Sequence, residues 1–434
     1  MTDIYAERRR RLFDTLDSDS VVILAGHQEQ VRSKNILYPF RQNSDFYYLT
    51  GCSEPDAAAL LRPGHADNYT LFVRPRDKAQ EISFGDRLGI EGAREQLAAT
   101  SAYSIGDLSE KIPEMLEERC QIFLSDELGR FDTQVRQWLD AQRRSAKFDD
   151  QRIYRSLHSI LPLVHQMRCV KDEHEIALLR QAVKATEAGH KALMEKARPG
   201  AMEVTLSGAF MGEIGHHGCA EVGYPNIVAS GNNACCLHYT DYGSALKSGD
   251  MILVDAGAEY KNYTADVTRS YPVTGQFSAL QKDVYTIVLA GLDASIALVK
   301  PGLLWSEIYE TNMKVLSQGL IDLGLLKGSL DEVLEKDLHK PYTIHKTGHW
   351  LGLDVHDVGR YREADGRWVT LQEGMVFTIE PGLYFPQSCE TVPEEFRGMG
   401  IRIEDDILVT KNGHENLTAS IPRTVTDIED YMKR

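Results

Sequence analysis

The chain has 434 residues, 42% of them hydrophobic, and a net charge of −16. That length exceeds what one hydrophobic core supports, so two domains are expected. The acidic balance excludes nucleic acid and anionic membrane surfaces as partners, because both call for basic patches. Seven scattered cysteines with no Cys-x-x-Cys fit reduced thiols in the cytoplasm, not a disulfide frame or a thiolate zinc site. No apolar run reaches the length of a membrane span.

The first part of the chain reads as an α/β domain over residues 1–168. An opening helix, about Asp3–Leu16, carries Arg8–Arg11 ahead of Leu12-Phe13. This resembles the start of a twin-arginine export signal, but Asp14, Asp17 and Asp19 break the apolar stretch that should follow. A basic helix face is the better reading. The strand Val21–Ala25 comes next, then apolar or aromatic runs at Asp45–Thr50, Ala57–Leu61 and Tyr69–Val73. Helical patterns cover Arg87–Leu97, Ile112–Arg119 and Asp132–Arg143. There is no phosphate-cradling glycine loop and no cluster of ligands, and the polar stretch Pro39–Asp45 reads as a loop.

The second domain is placed at residues 169–434. Asp172 and Glu175 have capping-box spacing, and Ile176, Leu179, Ala182 and Val183 follow at helical intervals. That helix ends at Arg198-Pro199-Gly200, and a second runs about Glu203–His217. The same phrase recurs at Lys300-Pro301-Gly302, between helices at about Ala279–Lys300 and Trp305–Leu323. Strands follow each helix pair. The pattern is an internal duplication of two α-α-β-β halves, so equivalent strands should face one central cleft.

In the first half, Met251–Pro272 reads as a hairpin. With a two-residue turn at Tyr260-Lys261, Glu259 pairs with Asn262 and Asp255 lies opposite Asp266. Like charges opposed on one face repel, and a cation between them is the natural remedy. The second half should supply matching acids or histidines. Glu380 ends the apolar strand within Gly374–Pro381, and Arg402 and Glu404 share one face of a strand over Gly400–Val409. His349 supplies a nitrogen donor. Asp255, Asp266, His349, Glu380 and Glu404 thus form an oxygen-rich set whose four negative charges two divalent cations would balance. Hard carboxylate donors favour Mn²⁺, with Zn²⁺ or Co²⁺ compatible. A close pair of metal ions is a common hydrolytic device.

These segments resemble a known family. Val254-Asp255-Ala256-Gly257 with Asp266-Val-Thr-Arg269, Gly348-His349-Trp-Leu-Gly352, His356-Asp-Val-Gly359, Ile379-Glu380-Pro381-Gly382 and Arg402-Ile-Glu404-Asp405 are similar to the motifs of the pita-bread metallopeptidases. Within them the chain is most similar to the bacterial aminopeptidase P (Xaa-Pro aminopeptidase) group, with proline dipeptidases next. The resemblance implies a creatinase-like α/β N-terminal domain before an α+β pita-bread domain. It implies cleavage of the bond before a proline in second position, in a homodimer or homotetramer. It assigns the metals to the five residues above and gives Glu380 the further role of general base on a metal-bridging water. His238 and His356 would stabilise the reaction intermediate, and His345, Tyr384 and Arg402 would line the proline pocket. About two extra residues lie near Arg360–Trp368, between His356 and Glu380. Asn35 and Ser83 stand where some aminopeptidases P carry an acid and a tryptophan that reach a neighbouring subunit.

Three readings follow: an Xaa-Pro aminopeptidase, a proline dipeptidase, or a non-catalytic pita-bread binding module. The intact ligand set disfavours the module. A dipeptidase would need a cation closing the far end of the cleft. His216, His217 and His339 are read as ordinary histidines, since none has such company. Cys235-Cys236 is read as packing, because no oxyanion motif accompanies it.

Overall fold

The computed structural model describes residues 4–116, 120–125, 129–145 and 156–433. Two compact units, Met1–Met167 and Arg168–Arg434, divide the chain.

The first unit is built on a six-stranded mixed sheet. Its order is Ser101–Ser104, Tyr69–Val73, Ala58–Leu61, Ser20–Ala25, Gln121–Leu124 and Ser156–Ser159. Val21, Ile23, Leu60, Phe72, Ile112, Ile122 and Leu139 form its core. The run at Asp45–Thr50 lies in a helix, Ser44–Thr50, capped by the Asn43 side chain on the Phe46 amide. The opening helix is Ile4–Phe13, and Asp3 lies outside the described residues. The helix over Ile112 is Leu108–Met115, and Arg119 lies outside the described residues. The arginine run is more than a solvated face. Arg8 and Arg9 are buried, stacked on Tyr48 and Tyr69, and they donate to the Tyr48 and Leu49 carbonyls near the end of the Ser44–Thr50 helix. Cations placed there complement both the orphan carbonyls and the helix dipole.

The second unit opens as its sequence dictates. Asp172 and Glu175 form a capping box at the head of the helix Glu173–Lys196, which pairs with Glu203–His216. The helices Ala279–Leu298 and Trp305–Asp322 form the second pair. The duplication extends to single hydrogen bonds. Gly200 N donates to Leu246 O at 2.8 Å, and Gly302 N donates to Leu371 O at 2.9 Å. Both glycines hold positive φ, +86° and +91°, which an L side chain would strain. The bridge Met202–Ala245 has its twin in Leu304–Thr370.

Each half then contributes a bent hairpin. In the first, the structure corrects the register. Lys261 and Asn262, with φ +49° and +68°, make the turn, so Tyr260 faces Tyr263 and Asp255 faces Thr268 rather than Asp266. Positive φ at both central positions gives the turn whose twist matches the strands, and asparagine tolerates it. A slip of one residue would have turned the two aspartates to opposite faces, whereas a slip of two keeps them together on a diagonal. At Gly257 the arms close so tightly that an added Cβ would meet the Ala265 carbonyl oxygen at 1.7 Å. In the second half, the expected single strand over Gly400–Val409 is two, Met399–Arg402 and Asp405–Thr410. The first pairs with Gly382–Phe385 and the second with Val376–Ile379, so the chain changes partners at Ile403-Glu404. That bend sends Glu404 toward the first hairpin, where its amide donates to Thr268 O at 3.0 Å.

A buried ion cluster anchors the loop that follows His349. Arg168 donates to Asp354 at 2.7 Å and to Asp357 at 2.6 Å, while Lys171 reaches Asp357 at 3.0 Å. Burial opposes charge on Asp357, but Lys171 and Arg168 hold its carboxyl below the usual range. A lowered folded-state pKa means that this cluster stabilises the fold above the unfolded value, about 4, and loses that contribution as pH falls through the folded value. Asp357→Asn should cost about 3–5 kcal/mol by leaving buried cations short of their partner. Thermal unfolding should also show a shallower loss of stability below about pH 4 in the variant than in the unmodified chain.

Candidate metal centre

Strand ends from both halves converge on one acidic pocket. Asp255 closes the strand Met251–Asp255, and Glu380 directly follows the strand Val376–Ile379. Each precedes a glycine by two residues, Gly257 and Gly382, at the bend of its hairpin. Buried Arg269 joins the halves: it pairs with Asp405 at 2.7 Å and donates to the Glu404 carbonyl at 2.6 Å. Ser270 and Arg402 exchange two further bonds, at 2.8 and 3.1 Å.

Donor atoms of Asp266, His349 and Glu404 lie within 4.8 Å of one another. His349 Nε2 stands 3.3 Å from Asp266 and 3.7 Å from Glu380. Its Nδ1 lies 3.0 Å from the Trp350 carbonyl, which can only accept, so Nδ1 carries hydrogen and Nε2 is the nitrogen turned toward the acids. Asp255 joins through Tyr224, whose hydroxyl lies 2.7 Å from Asp255 and 2.5 Å from Asp266. On its other side Asp255 takes Arg402 at 2.6 Å. All five sequence-derived donors are therefore neighbours in one pocket.

The electrostatics show a site short of positive charge. Burial pushes Glu380 up to about 7, and it raises Asp266 and Glu404 with help from the neighbouring acids. Burial works against charge on His349 as well, yet Asp266 and Glu380 push it up to about 9. Only Asp255 is lowered: burial is overcome by the Arg402 guanidinium. Four carboxylates against one guanidinium and one imidazole fit hard divalent cations, and the oxygen-dominated donor set matches them in kind.

The remaining predicted residues form a chain beside the pocket. Arg402 donates to the Tyr384 hydroxyl at 2.9 Å, and Tyr384 lies 2.8 Å from His345 Nε2. His345 Nδ1 faces the Lys346 carbonyl at 2.8 Å and Glu380 at 3.4 Å. Burial, with Arg402 assisting, pushes His345 down to about 4, so it stands neutral, with Nδ1 donating and Nε2 accepting from Tyr384. Tyr384 and Arg402 are buried, whereas His345 is half-buried and His238 and His356 are exposed. The His356 ring lies 4.4 Å from that of His349. Burial and His349 lower its pKa, and His238 contributes to the lowering at both His345 and His356.

Sequence reasoning missed Tyr224 and Thr268. Thr268 donates to Glu404 at 2.6 Å and accepts from Arg402 at 3.1 Å. Thr268 opens the strand Thr268–Pro272, two residues beyond Asp266, so period-two spacing from Asp266 in the sequence could have found it. Tyr224 stands in a turn, with no pattern to mark it.

Comparison with known proteins gives the family. Residues 177–411 match metallopeptidase family M24, and residues 5–123 match the aminopeptidase P N-terminal domain. An Xaa-Pro aminopeptidase of Escherichia coli is 39% identical over 99% of this chain and 97% of its own length. The chain belongs to metallopeptidase family M24. A human relative, Xaa-Pro aminopeptidase 3, is 32% identical over 99% of this chain and 86% of its own. The fold is that of Pseudomonas aeruginosa aminopeptidase PepP, with a TM-score of 0.96, 39% identity and coverage of 99% and 97% of the two chains. A zinc-substituted E. coli aminopeptidase P in complex with product matches with a TM-score of 0.94 at 39% identity, covering 99% of this chain and 98% of that one. As an M24 metallopeptidase the chain is a hydrolase of the pita-bread fold, behind an aminopeptidase P-like N-terminal domain.

A cation that binds the folded site and not the unfolded chain stabilises by mass action. Adding Mn²⁺ or Zn²⁺ to chelator-treated protein should raise its Tm by several degrees, and Asp266→Ala should abolish the rise. An equal rise in both proteins would place the binding elsewhere.

Proposed function

We propose that this enzyme removes the N-terminal residue from peptides whose second residue is proline, using two divalent cations, with Mn²⁺ preferred. The observation that carries the reading is the convergence of acids from both halves on His349 Nε2, in a chain so similar along its length to Xaa-Pro aminopeptidases. Asp255, Asp266, His349, Glu380 and Glu404 would hold the cations. When bound, such ions polarise the scissile carbonyl and lower the pKa of water.

The chain's own residues do the rest. Glu380 reaches the cleft half-buried, between His349 and His345, and accepts the proton of the attacking water. His238 and His356, both exposed and electrostatically linked, donate to the oxyanion of the tetrahedral intermediate. His345 lines the pocket for the proline ring, backed by Tyr384 and Arg402, whose hydrogen bonds fix its tautomer. Proline has no amide hydrogen and a fixed φ, so its ring requires a dedicated pocket. Arg402 also holds Asp255 ionised, ready for a cation. Seven cysteines outside any disulfide support work in a reducing compartment, the cytoplasm.

Metal-stripped protein should cleave Gly-Pro-Ala between glycine and proline only after Mn²⁺ is restored, and Asp255→Ala should not recover. Glu380→Gln should lower kcat by about 10²–10⁴. Cleavage of Gly-Pro with the tripeptide untouched would reassign the enzyme as a proline dipeptidase. Cleavage of neither with any divalent ion would return it to the binding-module reading.

A further inference from the structure

We infer that Glu203 is a positioning residue for catalysis, holding the loop that presents His238; the inference rests on the substrate-facing role proposed for that histidine. Glu203 is the first residue of the helix Glu203–His216 and is fully buried. Its carboxylate does not cap its own helix but reaches across to the segment 230–244. Oε1 accepts from Ser230 N and Ser230 Oγ, both at 2.8 Å, and from Asn233 Nδ2 at 3.0 Å. Oε2 accepts from Tyr239 Oη at 2.8 Å and Ser244 N at 3.1 Å. Its partners among the described residues are thus neutral donors, drawn from both ends and the middle of one loop.

His238 lies inside that loop. Leu237 and Tyr239, on either side of it, pack against a core cluster that includes Leu253 and Tyr384. With its neighbours turned inward, His238 is left exposed. The start of the loop is pressed against the strand that carries Arg402: a Cβ on Gly400 would lie 2.3 Å from the Ala234 carbonyl oxygen. A slack loop here would move His238 relative to everything else in the pocket.

A bland alternative is that the fold needs an acid at this helix start. The duplication argues against it. Trp305 holds the equivalent place in the second half, with its amide bonded to Val369 O as that of Glu203 is bonded to Ser244 O. There the position is filled by packing: Trp305 lies 4.4 Å from the Trp350 ring, with Tyr361 and Phe377 close by. The architecture therefore accepts an apolar anchor at this point. In the second half the exposed His356 sits on a segment secured instead by Arg168, Lys171 and Asp357, whereas in the first half the loop that bears His238 is secured by the buried, fully bonded carboxylate of Glu203. Such a network fixes geometry more sharply than packing does, because each donor has one place to go.

The test uses the full-length protein loaded with Mn²⁺ and the Gly-Pro-Ala peptide. Glu203→Gln keeps the shape but sets an NH₂ group against backbone and side-chain donors. We expect kcat/KM to fall by roughly a hundredfold, mostly in kcat, with bound metal unchanged. In a His238→Ala background the same change should add almost nothing, since both variants remove one function. Tyr239→Phe removes one hydroxyl beside His238, and with it a bond to Glu203, and decides the matter if Glu203→Gln folds poorly. It should give a smaller loss that also vanishes without His238. Unchanged activity, or losses that multiply with that of His238→Ala, would overturn the inference. An unmodified chain that leaves the tripeptide intact would instead sink the proposed function, and this inference with it.

Discussion

The structure depends on crowding four carboxylates into one buried pocket. Asp255, Asp266, Glu380 and Glu404 repel one another, and burial magnifies the repulsion. Arg402 and His349 offset part of it, and divalent cations would offset the rest. Much of the second unit can be understood as scaffolding that makes the crowding tolerable. Arg269 pins the Glu404 backbone, and the hydroxyls of Tyr224 and Thr268 hold the acids with neutral hydrogen bonds. Rigidity obtained this way suits a metal site, because donors held in place beforehand lose little freedom when the ion arrives.

Duplication explains how one chain builds such a pocket. Each half supplies a helix pair, a Pro-Gly turn and a hairpin that bends at a glycine two residues after an acid. Packing the halves together brings equivalent strand ends to one place, so donors distant in sequence become neighbours. The halves then diverge in what they add. The second brings the histidine-bearing segment 345–356, anchored by Arg168, Lys171 and Asp357. The first brings the loop around His238, anchored by Glu203.

Charged and punctuating residues made much of this legible in the sequence. The capping box at Asp172 and Glu175 and the two Pro-Gly phrases marked helix ends, because each serves a specific backbone geometry. Asp255 and Glu380 drew notice as candidate donors because acids ending apolar strands have few structural reasons to be there. The register of the first hairpin was not legible. Tyr260-Lys261 and Lys261-Asn262 are both plausible turns on composition, and the choice rests on which pair accepts positive φ. Nor was the break at Ile403-Glu404, since an apolar alternating run gives no sign that a strand changes partners midway. Tyr224 and Glu203 stayed hidden for another reason. Their importance lies in long-range hydrogen bonds, which leave no periodic trace.

The most direct measurement is a metal count on extensively dialysed protein, made alongside the tripeptide assay on the same sample. Two divalent ions per chain are expected in active protein, with both the ions and the activity lost together in Asp266→Ala. Full-rate cleavage by protein that retains no divalent ion would contradict the central claim that these acids are gathered to hold metal.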